Sequence, residues 1–168
     1  MTFSVRLEGG ALRFSAAHFT TFGGDCEPLH GHNYAVVVEI SGGLSGDSWV
    51  MDFSDGKRIV ADVCKGLDHK FILQARSAVL SVVQADGALE VRFGSRLYVI
   101  PEDDVVALPI ENSTAERLAE WIAHQVAREV AEAGVRDLES IRVGVEEAPG
   151  QSGWFTLAIA PRRSAGSV

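Results

Sequence analysis

The stretch Cys26-Glu27-Pro28-Leu29-His30-Gly31-His32-Asn33-Tyr34 places a thiol, a carboxylate and two imidazoles close together in the chain. The run that follows, Tyr34 to Ile40, reads as a β-strand. Side chains two apart on a strand share a face, so His30 and His32 can converge on one point. A second strand-like segment, Leu12 to His18, ends in a third imidazole, which meets the pair if the two strands are antiparallel neighbours. Three neutral imidazoles suit Zn2+ and leave a fourth tetrahedral position open, as catalytic rather than structural sites do. His-x-His pairs also arise by chance, and a lone histidine is most often a solvated group. Here three of the chain's five histidines fall between residues 18 and 32, interleaved with other reactive residue types.

Cys26 lies four residues before His30, near enough to a metal to be activated without ligating it. A thiolate beside a dication is stabilised and can act as a base; the other readings are a fourth ligand or an ordinary loop thiol. Asp68-His69 is a second reactive pair, in which the carboxylate can orient the imidazole. Adjacent strand residues point apart, so this pair requires a turn or a helix end; a histidine satisfying the last carbonyls of a helix is the alternative.

These groups need a scaffold, and the hydrophobic pattern outlines one. Thr2 to Leu7 and Ala11 to His18 read as strands around the turn Glu8-Gly9-Gly10, so the chain is expected to open with a hairpin. Phe19 to Leu29 reads as a loop that delivers Cys26, and Asn33 to Ser41 as the next strand. A helix follows, capped by Ser54 or Asp55, with Ile59, Val60, Val63, Cys64 and Leu67 on its apolar face. Leu80 to Gln84, Ala88 to Phe93 and Arg96 to Ile100 are short strands with turns at Asp86-Gly87 and Gly94-Ser95. Ser113-x-x-Glu116 reads as a capping box opening a helix that buries Leu118, Trp121, Ile122, Val126 and Val130 and ends at Gly134. Ser140 to Glu147 and Trp154 to Ala160 are the last strands. The order is that of an α+β domain with an antiparallel sheet.

At 168 residues and 46% hydrophobic content the chain makes one domain with a core, expected over residues 1–161, with a flexible tail at 162–168. A net charge of −8 and no basic run argue against nucleic acid. No apolar run approaches a membrane span and the N-terminus carries no signal pattern. Two cysteines without a secretion signal point to a cytoplasmic chain with free thiols, and a Cys26–Cys64 disulfide is disfavoured.

Phe14-Ser15-Ala16-Ala17-His18, Cys26-x-x-x-His30-Gly31-His32-Asn33-Tyr34, Leu67-Asp68-His69-Lys70, Ser113-Thr114-Ala115-Glu116 and Val143-Gly144-Val145-Glu146-Glu147, in that order, resemble the motifs of the 6-pyruvoyl-tetrahydropterin synthase / 6-carboxy-tetrahydropterin synthase family. The resemblance covers most of the chain and implies the tunnelling fold, a four-stranded antiparallel sheet with two helices on one face. Edge strands in that fold pair between subunits to close a barrel, commonly as a homo-oligomer of one trimer or two stacked trimers; edge pairing satisfies an otherwise open sheet. It also implies a pterin substrate, 7,8-dihydroneopterin triphosphate or a close relative, and a zinc ion held by His18, His30 and His32. Cys26 would be the base, assisted by Asp68 and His69. Glu147 would accept the paired N–H groups of the pterin edge, with a slip to Glu146 left open. Glu116, Thr114 and Ser113 would lie in the pterin pocket, although capping explains Glu116 equally well.

Glu27 departs from the simple pattern. Branches of the family with only the cysteine form 6-carboxy- or 6-pyruvoyl-tetrahydropterin. A branch with a glutamate in its place cleaves the side chain to 6-hydroxymethyl-dihydropterin, a folate precursor. The Cys26-to-His30 spacing is that of the bacterial carboxy-forming branch, which feeds deazapurine synthesis such as that of queuosine. Formation of 6-carboxytetrahydropterin is therefore the leading expectation, with folate-type cleavage and pyruvoyl formation as alternatives. A scaffold that only binds zinc or pterin is expected to lack Cys26, Asp68 or His69, and all three are present. The segment of about residues 75–106 exceeds what the family pattern needs and is expected to be an inserted hairpin.

Overall fold

The elements, in chain order, are β1 (Phe3–Leu7), β2 (Arg13–His18), β3 (Thr21–Phe22), β4 (Asp25–Cys26), β5 (His30–Gly42), α1 (Phe53–Leu67), β6 (Lys70–Gln74), β7 (Ser81–Ala85), β8 (Ala88–Phe93), β9 (Arg96–Pro101), β10 (Val105–Leu108), α2 (Ala115–Glu132), β11 (Leu138–Ala148) and β12 (Gln151–Ala158). The structure, a computed structural model, describes residues 1–160, so the expected tail at 162–168 lies outside the described residues. β5 is the spine. Its Tyr34, Val36, Val38 and Ile40 are buried while the residues between them are half-buried, the alternation of a strand with one face on a core. β2, β5, β11 and β12 form the expected antiparallel four-stranded centre. Two short strands extend it: β6 runs parallel to β2, and β10 parallel to β6. Sequence reading missed both because each is a brief apolar run without alternation.

The expected opening hairpin does not form. β1 pairs antiparallel with the far half of β5 (Phe3↔Gly42 to Leu7↔Val38), and β2 with the near half (Arg13↔Ala35 to His18↔His30). Thirteen residues of β5 accommodate both partners end to end, so the Gly9-Gly10 turn steps the chain along β5 instead of reversing it. Phe19 to Leu29 is not wholly irregular either, since β3 and β4 pair as a small ribbon.

Both helices lie on one face and share one core, which joins Val60 and Leu67 of α1, Leu118, Ile122 and Val126 of α2 and the inner face of β5 and β11. Burying these side chains contributes roughly 1.5–3 kcal/mol each. The cap of α1 is Asp52, ahead of the expected Ser54 or Asp55, and its carboxylate accepts from the amides of those two residues at 2.8 and 3.1 Å. The capping box of α2 is also corrected. Thr114 is the N-cap, and Ser113 is drawn inward, its hydroxyl 2.9 Å from both the Phe19 carbonyl and Gln74 Oε1. Glu116 is then one position too early to reach back.

The segment expected to be an inserted hairpin is a three-stranded meander, β7-β8-β9; it ends at Pro101, and Val105–Leu108 already belongs to the main sheet. Its inner face, through Val91, Tyr98 and Ile100, packs on Phe19, Phe71 and Leu73. β11 and β12 turn over Pro149-Gly150, much tighter than the expected 148–153 connection. Cys26 and Cys64 are free and buried. No helix among the described residues is long and apolar enough to cross a membrane.

Candidate active site

The register His18↔His30 sets two imidazoles side by side, and His32 follows on the same face as the buried Tyr34. Ring centroids are 4.7 Å (His18–His30), 4.9 Å (His30–His32) and 5.2 Å (His18–His32) apart. A ligand nitrogen from each lies within 4.8 Å of the others. Gly31 makes the close strand approach feasible, since a Cβ there would sit 2.9 Å from the Ala16 carbonyl oxygen.

The tautomers are set by backbone carbonyls. His18 Nδ1 lies 2.9 Å from the Ser113 carbonyl and His30 Nδ1 2.9 Å from that of Pro28, so each Nδ1 donates and each Nε2 keeps its lone pair. His18 Nε2 is buried with no hydrogen-bond partner. Burial lowers the His18 pKa to about 4, so the ring is neutral at pH 7. A buried, neutral, unpartnered nitrogen converging with two others fits a metal ligand set, and an all-nitrogen triad suits zinc.

The triad floors a cavity of about 630 Å³ whose walls come from three other places: Glu27 with Thr20, the start of α2 at Thr114 and Glu116, and the β11–β12 turn with Glu147. Gly153 lets β12 lie against the first turn of α2; a Cβ there would be 2.5 Å from the Glu116 amide nitrogen. Glu147 follows Val143 and Val145 on the inner face, at the irregularity between Glu146 and Ala148 in the β11–β12 register. Its Oε1 is buried and unpaired, and desolvation pushes its pKa up. Glu146 points elsewhere, and its Oε1 accepts from the Gly150 amide at 2.9 Å. The Glu27 carboxylate accepts from the Thr20 hydroxyl (2.6 Å) and amide (3.2 Å), which hold its pKa below the usual glutamate value. Glu27 is therefore ionised at neutral pH, and its carboxylate is able to accept a proton.

Four expected site residues are not brought to this cavity within one chain. Cys26 is buried among Phe19, Phe71, Leu73 and Val91, its Sγ 3.4 Å from the Glu27 carbonyl, and burial pushes its thiol pKa up. Cys26 ends β4 and Glu27 follows it, and the two side chains part there: Glu27 faces the cavity and Cys26 the small core. Ser113 offers the cavity neither its hydroxyl nor its amide; its carbonyl orients His18. Asp68 caps α1, accepts from the Ser15 amide at 2.7 Å and holds His69 Nδ1 at 2.8 Å, which lowers the Asp68 pKa. His69 takes a left-handed backbone (φ 57°), the helix-end geometry the pair requires. Its exposed ring lies in a second cavity, of about 590 Å³, which it shares with Lys70, with Ser15 and Asn33, the strand residues that alternate with His18 and His32, and with one side of His32 itself. Sequence reading missed Thr20, although the two-residue period that faces His18 inward reaches it.

A profile of the family described as 6-pyruvoyl tetrahydropterin synthase matches residues 11–157. A putative 6-carboxy-5,6,7,8-tetrahydropterin synthase of Methanocaldococcus jannaschii is 36% identical over 145 residues, covering 86% of this chain and 89% of the relative. The 6-carboxy-5,6,7,8-tetrahydropterin synthase of Haemophilus influenzae is 33% identical over 112 residues, covering 61% of this chain and 68% of the relative. A solved 6-pyruvoyltetrahydropterin synthase of Plasmodium vivax superimposes with a TM-score of 0.89 at 33% identity, covering 95% of this chain and 99% of that one; it is a variant described as a catalytic residue mutant, in which a glutamate is replaced by alanine.

Proposed function

The chain belongs to the 6-pyruvoyl tetrahydropterin synthase family and is a lyase-type pterin synthase, and from that premise we propose that it cleaves the side chain of 7,8-dihydroneopterin triphosphate with Glu27 as the base. The observation that carries this reading is the placement of the adjacent pair: Glu27 is ionised and in the cavity with the histidines, whereas Cys26 is buried outside it. The catalytic glutamate of the Plasmodium relative agrees with it.

His18, His30 and His32 would hold a zinc ion, which supplies Lewis-acid polarisation of the side-chain hydroxyls when bound. Glu147, one of whose carboxylate oxygens is buried and unpaired, accepts the amino and ring N–H of the pterin and fixes the ring's orientation. Thr114 and Glu116 line the ring's pocket. Glu27 takes the proton of the 2′-hydroxyl. The C1′–C2′ bond breaks, its electrons pass to C1′ and the conjugated ring, and C2′ leaves as a triphosphorylated aldehyde. The proton returned to C1′ completes 6-hydroxymethyl-7,8-dihydropterin. Asp68-His69 does not line the cavity that holds Glu27 and Glu147, so its part in proton transfer calls for a second copy to present it, which fits a trimer or hexamer closed by edge-strand pairing. Buried free thiols fit a cytoplasmic chain.

The names of the curated relatives favour a second reading, formation of 6-carboxytetrahydropterin for deazapurine synthesis with Cys26 as the base. Mass spectrometry of products from zinc-loaded wild-type, Glu27→Gln and Cys26→Ala proteins separates the two. A 6-hydroxymethyl product that is lost in Glu27→Gln and kept in Cys26→Ala supports Glu27. A 6-carboxy product with acetaldehyde, lost in Cys26→Ala, overturns it.

A further inference from the structure

Glu27 reaches the cavity from a short segment with little regular structure, so something must hold its backbone. One side is held by Thr20, whose carbonyl accepts from the Glu27 amide at 3.0 Å, and by Asn112, whose side-chain amide pairs with both backbone groups of Thr21 at 2.9 and 3.1 Å. The other side is held by a residue from the inserted sheet. Arg96 opens β9 just after the Gly94-Ser95 turn, and its Nη1 donates to the carbonyls of both Cys26 and Glu27, the latter at 3.0 Å. The turn is itself anchored. Tyr98, two residues on and on the same face as Arg96, stacks on Phe19 with centroids 5.3 Å apart, and Val91 behind it is fully buried. Phe19 lies between His18 and Thr20, so the insertion grips the segment at both ends.

We propose that Arg96 is a positioning residue: the inserted sheet uses its guanidinium to clamp the Cys26 and Glu27 carbonyls and thereby aims the Glu27 carboxylate into the cavity. A guanidinium presents several N–H groups in a rigid plane and serves two neighbouring acceptors, which a flexible ammonium does less well. The clamp acts on the backbone, so it sets where the carboxylate stands without touching substrate, zinc ligands or the pterin anchor. The insertion thus becomes a buttress for the base. Misplacing a reacting group by about 1 Å can cost ~100-fold in rate.

This inference rests on the reading of Glu27 as the base, and the test separates the two. Zinc-loaded Arg96→Gln, Arg96→Lys, Glu27→Gln and Arg96→Gln/Glu27→Gln proteins are compared for kcat, KM, zinc content and hydrogen exchange across residues 20–29. Arg96→Gln is expected to lower kcat by roughly 10- to 100-fold, with KM within about twofold and zinc content unchanged. Arg96→Lys should be intermediate, and the double variant no worse than Glu27→Gln alone, because Arg96 works through Glu27. Wild-type kcat in Arg96→Gln, or losses that multiply in the double variant, overturns the proposal. If Glu27→Gln keeps full activity, the base assignment fails on its own. Exchange then decides the clamp: faster exchange at 20–29 in Arg96→Gln upholds it, and unchanged exchange rejects it.

Discussion

Glu147→Gln should move binding and stability in opposite directions. The structure leaves one carboxylate oxygen buried and unpaired, and desolvation raises the pKa of the group. In the free protein the buried charge has no compensating donor, so neutral glutamine should raise the melting temperature at neutral pH. The sign follows from linkage: a raised carboxyl pKa means the folded state holds the proton more tightly, so stability falls as pH rises through the glutamate range. The gain from glutamine should therefore vanish at low pH, where Glu147 is protonated. In the complex the pterin edge offers two N–H groups to two oxygens. Glutamine keeps one acceptor and turns a donor toward a donor, removing one charge-assisted bond of about 1.5–3 kcal/mol. At ~1.4 kcal/mol per decade this is about 10- to 100-fold in Kd. The assay is titration of the fluorescent ligand neopterin together with thermal unfolding at two pH values. Glu146→Gln is the control, expected within about twofold of wild type because Glu146 faces the Gly150 amide. Undiminished affinity in Glu147→Gln, or a loss confined to Glu146→Gln, would refute the anchor.

Three further outcomes can be checked. His18→Ala should abolish zinc binding measured by mass spectrometry of the native protein, and with it the stabilisation of about 2.7 kcal/mol expected at a hundredfold excess of zinc over Kd. If Glu27 and His69 serve one site from two copies, mixing inactive Glu27→Gln and His69→Ala chains with subunit exchange should restore about a quarter of wild-type activity, half of the chains supplying each intact group; no recovery would place both roles within one chain or remove one of them. Burial pushes the Cys64 thiol up to about 12. The folded chain holds that proton more tightly, so stability should fall between the unfolded thiol value and about pH 12, by on the order of 4 kcal/mol. Urea unfolding of wild-type and Cys64→Ala proteins should show the steeper alkaline loss in wild type.

The convergence of three histidines was legible in the chain because it depends on local geometry: a two-residue period puts His30 and His32 on one face, and a neighbouring strand need only end at the right place to add His18. The helices were legible for the same reason, through apolar residues at helical spacing, although both caps moved, from Ser54 or Asp55 to Asp52 and from Ser113 to Thr114. What depended on distant partners was not. Whether β1 turned back on β2 or stepped along β5 was decided by the length of β5, and Ser113 was taken from its cap by Gln74 and Phe19. Cys26 and Glu27 are adjacent, and nothing local to the segment tells which of them faces the histidines. The fold separates them, because Phe71, Leu73 and Val91 form a small apolar core on one side of the segment, which takes Cys26, and the histidines line the other, which takes Glu27. Asp68-His69 had the helix-end geometry its chemistry requires, yet which cavity received it followed from the pairing of Ser15 with the end of α1. Residue types and periods determine what chemistry a chain carries and which side of its own strand each group takes. Only long-range packing decides which of those sides share a cavity.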